Sequence, residues 1–303
     1  MVSGLNPDCI HCNRKINRKQ GNCSRYFNDG HVIRCGPPWT IFKHNFIKGY
    51  CEIVTKAMAK KYHLTYIDIF CGPGKYFDRA NGVQLNGSPL IAMEYAFNNY
   101  IFVDCNKQNV KALQYCLQNE SRNTDILLND CNRAANDINV KLRPYSLSFC
   151  LADPDNLRQL RYDTLKTIAQ GKKVDLLINF PYWMDYKRNA KDYVNGKKDS
   201  TPADLFFGTK EWKNILKRNG LKFTDKFFKE LIELYLYQFY KIGYARPRKI
   251  DNFQIIKNTI GKPIYLLLFL SKNELGYKFW KEIVQYAKGR NLELDLNYNA
   301  PTH

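Results

Sequence analysis

Apolar positions along the chain fall into short unbroken blocks, and the segments between them carry helical spacing. The first block is Thr65-Tyr66-Ile67-Asp68-Ile69-Phe70, which is followed by the tight turn Gly72-Pro73-Gly74. A run of this length bounded by glycines reads as a central strand of a parallel sheet. Two further blocks end in acids: Tyr100 to Asp104, and Asp125 to Asp130. A fourth, Ser146 to Ala152, runs into Asp153-Pro154, and a fifth, Val174 to Asn179, into Phe180-Pro181-Tyr182. Period-3.6 patterns alternate with these blocks. Phe42, Phe46, Ile47, Tyr50, Ile53, Val54 and Met58 stripe a helix over 39–60. Further helices are predicted over 88–97, with Ser88 as N-cap and Pro89 in the first turn, over 109–118 and over 162–170. Strand and helix in alternation predict an α/β fold with a doubly wound, Rossmann-like parallel sheet.

The rest divides around that core. Residues 1–36 are polar, basic and Cys-rich; residues 75–87 read as a glycine-bearing loop. Residues 183–222, rich in Lys, Arg, Asp and Gly, break the alternation and read as a basic insertion or lid. Thr224 caps a helix over 225–242 whose face is Phe228, Leu231, Ile232, Tyr235 and Phe239. A late strand over 263–270 and a helix over 276–288 complete a main domain of residues 37–288, and 289–303 form a tail.

Composition narrows the partner class. The chain has 303 residues, 45% hydrophobic and 14% aromatic, enough for a full α/β core. Its net charge of +19 favours polyanions, nucleic acid first. A surface charge kept for solubility is the plainer alternative. No apolar run reaches the ~18–20 residues of a membrane span, and Met1-Val2-Ser3-Gly4 lacks a signal peptide's apolar core. Cys71, Cys105, Cys131 and Cys150 sit at or beside apolar strands, where free cysteine acts as a small hydrophobe, so a reducing cytoplasmic setting is expected.

The N-terminal cysteines suggest a metal. Cys9-Ile10-His11-Cys12 has the Cys-x2-Cys spacing that aims two thiolates at one tetrahedral zinc. Cys23 with Cys35, or His31 with Cys35, would close the site. An iron–sulfur cluster and a basic arm with incidental thiols are the alternatives.

The strand ends carry the candidate chemistry. A dinucleotide fingerprint would place a third glycine where Phe77 stands, and no Gly-Lys-Ser/Thr follows a Walker loop. S-adenosylmethionine fits the remaining pattern. Phe70, Gly72 and Gly74 form a turn past which the amino-acid end runs. Asp104 is placed to accept from the ribose hydroxyls and Asp130 to read the adenine. Asp68 starts the turn and either orders it or meets the methionine ammonium. An acceptor for methyl is then needed. An exocyclic amine is weakly basic, so a carbonyl or carboxylate must take its hydrogens while its lone pair attacks. Asp153, in Asp153-Pro154-Asp155-Asn156, and Asn179, in Asn179-Phe180-Pro181-Tyr182, are the candidates; Pro181 stiffens the second turn and Tyr182 stacks on the base. A base within a duplex would have to be flipped out. Proline turns that merely close strands are the plainer reading of both.

These residues resemble the three-Cys-motif partner proteins (TcmP), a class I methyltransferase-like family. The pieces are Trp39-Thr40 with Lys43-His44, Tyr66 to Tyr76, Gly87 to Ala92, Asp153-Pro154, Val174 to Tyr182, Tyr265 to Phe269, Ser271-Lys272 and Leu275-Gly276. The resemblance implies a methyltransferase-like fold and a partner protein with a radical S-adenosylmethionine-type three-cysteine cluster. Family members usually read Asp-Pro-Phe-Gly after the fourth strand, so Asp155-Asn156 lacks the stacking aromatic and weight shifts to Asn179 and Tyr182. The expected activity is transfer of methyl to nucleic acid, at a base nitrogen. Two rivals stand beside it: a non-catalytic nucleic-acid- or cofactor-binding partner of the radical protein, and a nuclease using Asp153 and Asp155 with a metal. His44 is expected on a solvated helix face, and Cys71 is expected to pack.

Overall fold

In the computed structural model the described residues are 22–27, 30–36, 40–78, 83–180, 200–222, 224–246, 252–257 and 263–298. The chain forms two compact units, one of residues 1–130 with 281–303 and one of residues 131–280. Seven strands make a largely parallel sheet, so the fold is mixed α/β.

In the first unit the strands are β1 (Asn22–Phe27), β2 (His31–Gly36), β3 (His63–Asp68), β4 (Lys75–Asp78), β5 (Val83–Asn86), β6 (Asn99–Asp104) and β7 (Thr124–Leu128). Its helices are α1 (Thr40–Met58), α2 (Ser88–Met93) and α3 (Lys107–Cys116). Strands β3, β6 and β7 run parallel, with Asp68 level with Phe102 and Asp104 level with Leu128. Tyr66, Ile67, Tyr100, Phe102 and Val103 are sealed from solvent, as both faces of a parallel sheet require.

The predicted loop over 75–87 is instead a hairpin, β4 and β5, in a separate four-stranded sheet of order β1-β2-β4-β5. Strand β2 lies parallel to β4, with Cys35 opposite Phe77. Only Tyr76 and Phe77 are apolar within β4, too short a block to show as a strand in sequence, yet both are buried. The N-cap of α2 is Gly87, not Ser88. A Cβ at Gly87 would stand 2.8 Å from the Gly74 carbonyl oxygen, and the Gly87 N–H donates to that oxygen at 2.7 Å. Glycine is required there by close approach of backbone to backbone.

The second unit holds α4 (Cys131–Lys141), β8 (Ser146–Ala152), α5 (Tyr162–Ile168), β9 (Lys173–Phe180), α6 (Pro202–Phe207), α7 (Trp212–Arg218), α8 (Asp225–Tyr240), β10 (Phe253–Lys257) and β11 (Pro263–Leu270). Strands β8 and β9 are parallel, and β11 and β10 add antiparallel. The final helix, α9 (Glu274–Tyr298), starts here and continues into the first unit's residues.

Residues 200–222 are not an open basic flap. Thr201 caps α6 in a reciprocal capping box with Asp204, at 3.2 and 2.9 Å. Asp204 also accepts from the Trp212 indole N–H at 2.7 Å and pairs with Lys213 at 3.2 Å. Phe206, Phe207 and Trp212 are fully buried. Phe206 stacks on Tyr235 with centroids 4.9 Å apart, and Phe180 meets Phe206 edge-on at 5.5 Å. The lysines that dominate this stretch in sequence masked three aromatic anchors. Gly208 closes α6 in the left-handed conformation (φ +65°), and a Cβ there would sit 2.4 Å from the Tyr162 ring. Replacement of Gly208 by Ala is expected to lower thermal stability clearly, through strain plus overpacking, as a melting curve would read.

Candidate functional site

The glycine turn after β3 is built by its own acids. Asp68 is wholly buried, and its Oδ1 accepts the Phe70 N–H at 3.1 Å. Of the two roles considered for Asp68, ordering the turn is the one its geometry displays. Phe70 is half-buried. Gly72 has φ +63°, and a Cβ at this position would meet nothing within 4 Å, so its outer face is open. Gly74 also has positive φ (+84°), but a Cβ there would touch Leu113 at 3.0 Å and approach Leu90 at 3.5 Å. The two glycines therefore differ: Gly72 leaves space beside the backbone, whereas Gly74 lets α2 and α3 pack against it. Gly72→Ala is expected to cost about 1 kcal/mol in stability, since it strains the left-handed turn without a clash.

Asp104, at the end of β6, ties this turn down. Its Oδ2 accepts from the Gly72 N–H at 2.9 Å and from Asn109 Nδ2 at 3.0 Å, and its Oδ1 from the Asn106 N–H at 2.7 Å. A carboxylate offers about four acceptor positions, so Asp104 retains room for roughly one further donor. Accepting both hydroxyls of a ribose would require one of these partners to let go. Asn106 caps α3 by accepting the Gln108 N–H at 2.8 Å. Asn106 and Asn109 were missed in sequence; their only signal is an Asn two and five residues past a strand-end acid. Asp130 lies two residues beyond β7 and directly before α4, and its N–H donates to Asn129 Oδ1 at 2.9 Å.

Cys71 sits in the same turn, 3% exposed. Burial pushes its thiol well above the usual range, and the charges of Asp68 and Asp104 push it further. Such a thiol is a packing group, not a nucleophile. A thiol-specific alkylating reagent on the native protein is expected to label the exposed Cys105 and spare Cys71, as peptide mass mapping would show.

In the second unit, Asp153 follows β8 and Asn179 lies near the end of β9. Asn179 Nδ2 donates to Asp153 Oδ1 at 2.8 Å and to the Pro154 carbonyl at 3.5 Å. A carboxylate is acceptor-only, so the amide nitrogen must face it and the amide oxygen must point away. That Asn179 Oδ1 is buried and has no hydrogen-bond partner among the described residues. Strand alternation explains the orientation: Phe180 turns into the aromatic core while Asn179 takes the opposite face. Asp155 is exposed and its N–H donates to Gln159 at 2.6 Å, so it does not join Asp153 through this contact.

The remaining sequence candidates divide cleanly. Pro181, Tyr182, Cys9 and Cys12 lie outside the described residues, as do Trp39 and the side chain of Cys23. Cys35 is half-buried and not in a disulfide, and His31 stacks on Tyr115 with centroids 4.3 Å apart. Among the described residues no group of three or more His, Cys, Asp or Glu is placed to hold a metal ion. His44 is 6% exposed and meets the edge of Tyr76 at 5.7 Å, so the expectation of a solvated histidine is overturned. Tyr76 in the unforeseen hairpin covers it. No helix among the described residues is long and apolar enough to cross a membrane.

No protein-family model matches the chain, and neither does any curated protein. Solved structures do. A Legionella pneumophila protein of family-model DUF519 is 13% identical with TM-score 0.50, over 86% of this chain and 94% of its own. A Pyrococcus horikoshii protein provisionally described as an RNA methyltransferase is 9% identical with TM-score 0.35, over 75% and 84%. A provisionally assigned methyltransferase from Streptococcus mutans in complex with SAH is 11% identical with TM-score 0.33, over 73% and 96%. At these identities the first likeness bears on fold alone, and the other two carry no weight for function.

Proposed function

We propose that the chain is an S-adenosylmethionine-dependent methyltransferase that acts on an amino nitrogen of a nucleic-acid base. The observation behind this reading is the Asn179 amide, locked by Asp153 at 2.8 Å with its oxygen left without a described partner. An exocyclic amine needs such a fixed acceptor. Asn179 Oδ1 would take one amine hydrogen and leave the nitrogen lone pair free to face the methyl donor. The Asp153 charge behind it would stabilise positive charge growing on that nitrogen. Bound S-adenosylmethionine would supply the electrophilic methyl. The turn residues fit such a group in part: Gly72 leaves open space, and Asp104 keeps about one free acceptor position. Asp104, Gly72 and Phe70 would hold it, and Asp130 would read its base. The positive charge of the chain supports a polyanionic acceptor. The resemblance to the three-Cys-motif partner family adds a radical-type partner protein and belongs to the same proposal, as does zinc at Cys9, Cys12, Cys23 and Cys35.

One observation favours the non-catalytic reading. Asp104 already accepts three hydrogen bonds, as a purely structural acid would. Calorimetric titration with S-adenosylmethionine separates the two. Micromolar binding, weakened at least tenfold in Asp104→Asn with the fold intact, is expected. No heat from a folded parent chain would sink the cofactor site and leave the scaffold reading in place.

A further inference from the structure

A second feature of the 131–280 unit lies at the opposite end of its strands from Asp153 and Asn179. Strand β8 spans seven residues, which sets its amino end about 20 Å from Asp153. At that amino end Tyr145 is 88% exposed and Val140 is 82% exposed. Both are large side chains with no apolar cover, and the residues around them are basic: Lys141, Arg143, Lys166 and Lys173 are all exposed. Asp137, one turn back along α4, and Asp163, one turn before Lys166 on α5, are exposed acids that offset them in part.

The corner is held in shape. Asn139 Nδ2 donates to the carbonyls of Thr167, Ile168 and Gln170 at 3.0, 3.1 and 2.9 Å, which fastens the end of α4 to the end of α5. Lys172 Nζ donates to the Leu142 carbonyl at 2.5 Å, and Ser146 Oγ to the Arg143 carbonyl at 2.8 Å. Lys272 Nζ donates to the Ala169 and Lys172 carbonyls at 2.6 and 2.9 Å. Lys172 and Lys272 therefore serve the fold, as cations at helix carboxyl ends do. Tyr145 and Arg143 have no such duty in the described contacts. An ordered backbone thus presents one bare aromatic ring beside cations.

We propose that this corner is a docking surface for single-stranded nucleic acid, on which a base stacks over Tyr145 while Arg143 and its neighbouring lysines meet the phosphates. Aromatic platforms with flanking cations bind single strands because every base offers a π-face and every linkage a charge. An exposed Tyr with no cationic surround would not select a polyanion, and the cations without the ring would not distinguish a single strand from a duplex. The proposal rests on the nucleic-acid half of the reading above but not on methyl transfer. It places a second contact remote from Asp153 and Asn179, one that would hold a long substrate by a segment that is not being modified.

The test is fluorescence anisotropy of a labelled 20-nucleotide single strand against the full chain, at two salt concentrations. Tyr145→Ala is expected to weaken binding about tenfold, whereas Tyr145→Phe, which keeps the ring, stays near the parent. Arg143→Glu is expected to weaken binding and to flatten the salt dependence by roughly one phosphate contact. Both positions are exposed, so unchanged melting curves should accompany these losses. The proposal is overturned if Tyr145→Ala binds within twofold of the parent, or if Tyr145→Phe loses as much. It is also overturned if a duplex loses as much affinity as the single strand. Tyr145-dependent binding to anionic lipid vesicles with no effect on the oligonucleotide would reassign the corner to a membrane surface. Tyr237→Ala, which removes an exposed ring elsewhere in the same unit, serves as the control: it should leave oligonucleotide affinity and its dependence on Tyr145 untouched. Absent methyl transfer with an intact Tyr145 effect would sink the enzymatic reading and spare this one.

Discussion

Asn179→Ala should reduce methyl transfer to nucleic acid by about a hundredfold or more while S-adenosylmethionine affinity stays within twofold. The asymmetry follows from where the side chain acts. In the proposed reaction its oxygen would accept from the amine, and its nitrogen donates to Asp153 at 2.8 Å, so both contacts vanish with the amide. Its described side-chain contacts are with Asp153 and Pro154. Single-turnover transfer of labelled methyl, alongside calorimetry, reads the two quantities separately. Asn179→Asp should be as inactive, because two carboxylates at this spacing repel and one takes up a proton. A loss smaller than threefold in either variant would remove Asn179 from the reaction and return the acceptor role to other groups. Asp153→Asn gives a graded case: the amide can still be oriented, but the charge behind it is gone.

Trp212→Ala should destabilise the protein by about 4 kcal/mol, as loss of a fully buried aromatic does. Part of the cost comes from Asp204, which loses the indole N–H at 2.7 Å and remains buried. Urea unfolding followed by circular dichroism would measure it; a cost below 1 kcal/mol would mean that residues 200–222 pack loosely. The same acid confers a pH dependence. Burial pushes the Asp204 carboxyl up, but the hydrogen bonds from the Thr201 N–H, the Trp212 indole and Lys213 outweigh it and hold the group below its ordinary value. A folded value lower than the unfolded one means that the unfolded chain binds the proton more readily. The resulting stability is complete above the unfolded value of about 3.9 and is lost as pH falls through the folded value. Asp204→Asn should flatten that acid limb and leave stability at pH 7 lower than in the parent.

Much of the parallel sheet was legible in the sequence because its strands are buried on both faces and so read as continuous apolar runs. Pro263 to Leu270 matches β11 to the residue, and Val174 to Asn179 lies within β9. The hairpin of β4 and β5 was not legible, since four-residue strands with polar ends carry too little pattern. Helix α4 escaped for a related reason: its buried face is Cys131, Ala134, Ala135 and Ile138, and with a single large apolar residue among them it hardly registers as a stripe. In 200–222 the basic residues Lys210, Lys213, Lys217, Arg218 and Lys222 hid the three aromatics that do the packing.

The site shows the same division. Sequence alone determined the fold class, the position of the glycine turn, and the residue types at each strand end, because burial and backbone sterics act locally and leave a periodic trace. It also named both Asp153 and Asn179, from the chemistry an amine requires. Only the tertiary structure decided what those groups do to each other. It showed that Asn179 gives its N–H groups to Asp153 and keeps its oxygen, that Asp104 is already engaged by Gly72, Asn106 and Asn109, and that Gly74 is closed where Gly72 is open. Hydrogen-bond direction and steric closure depend on partners tens of residues away along the chain. No local pattern of polar and apolar positions can encode which way an amide turns its oxygen.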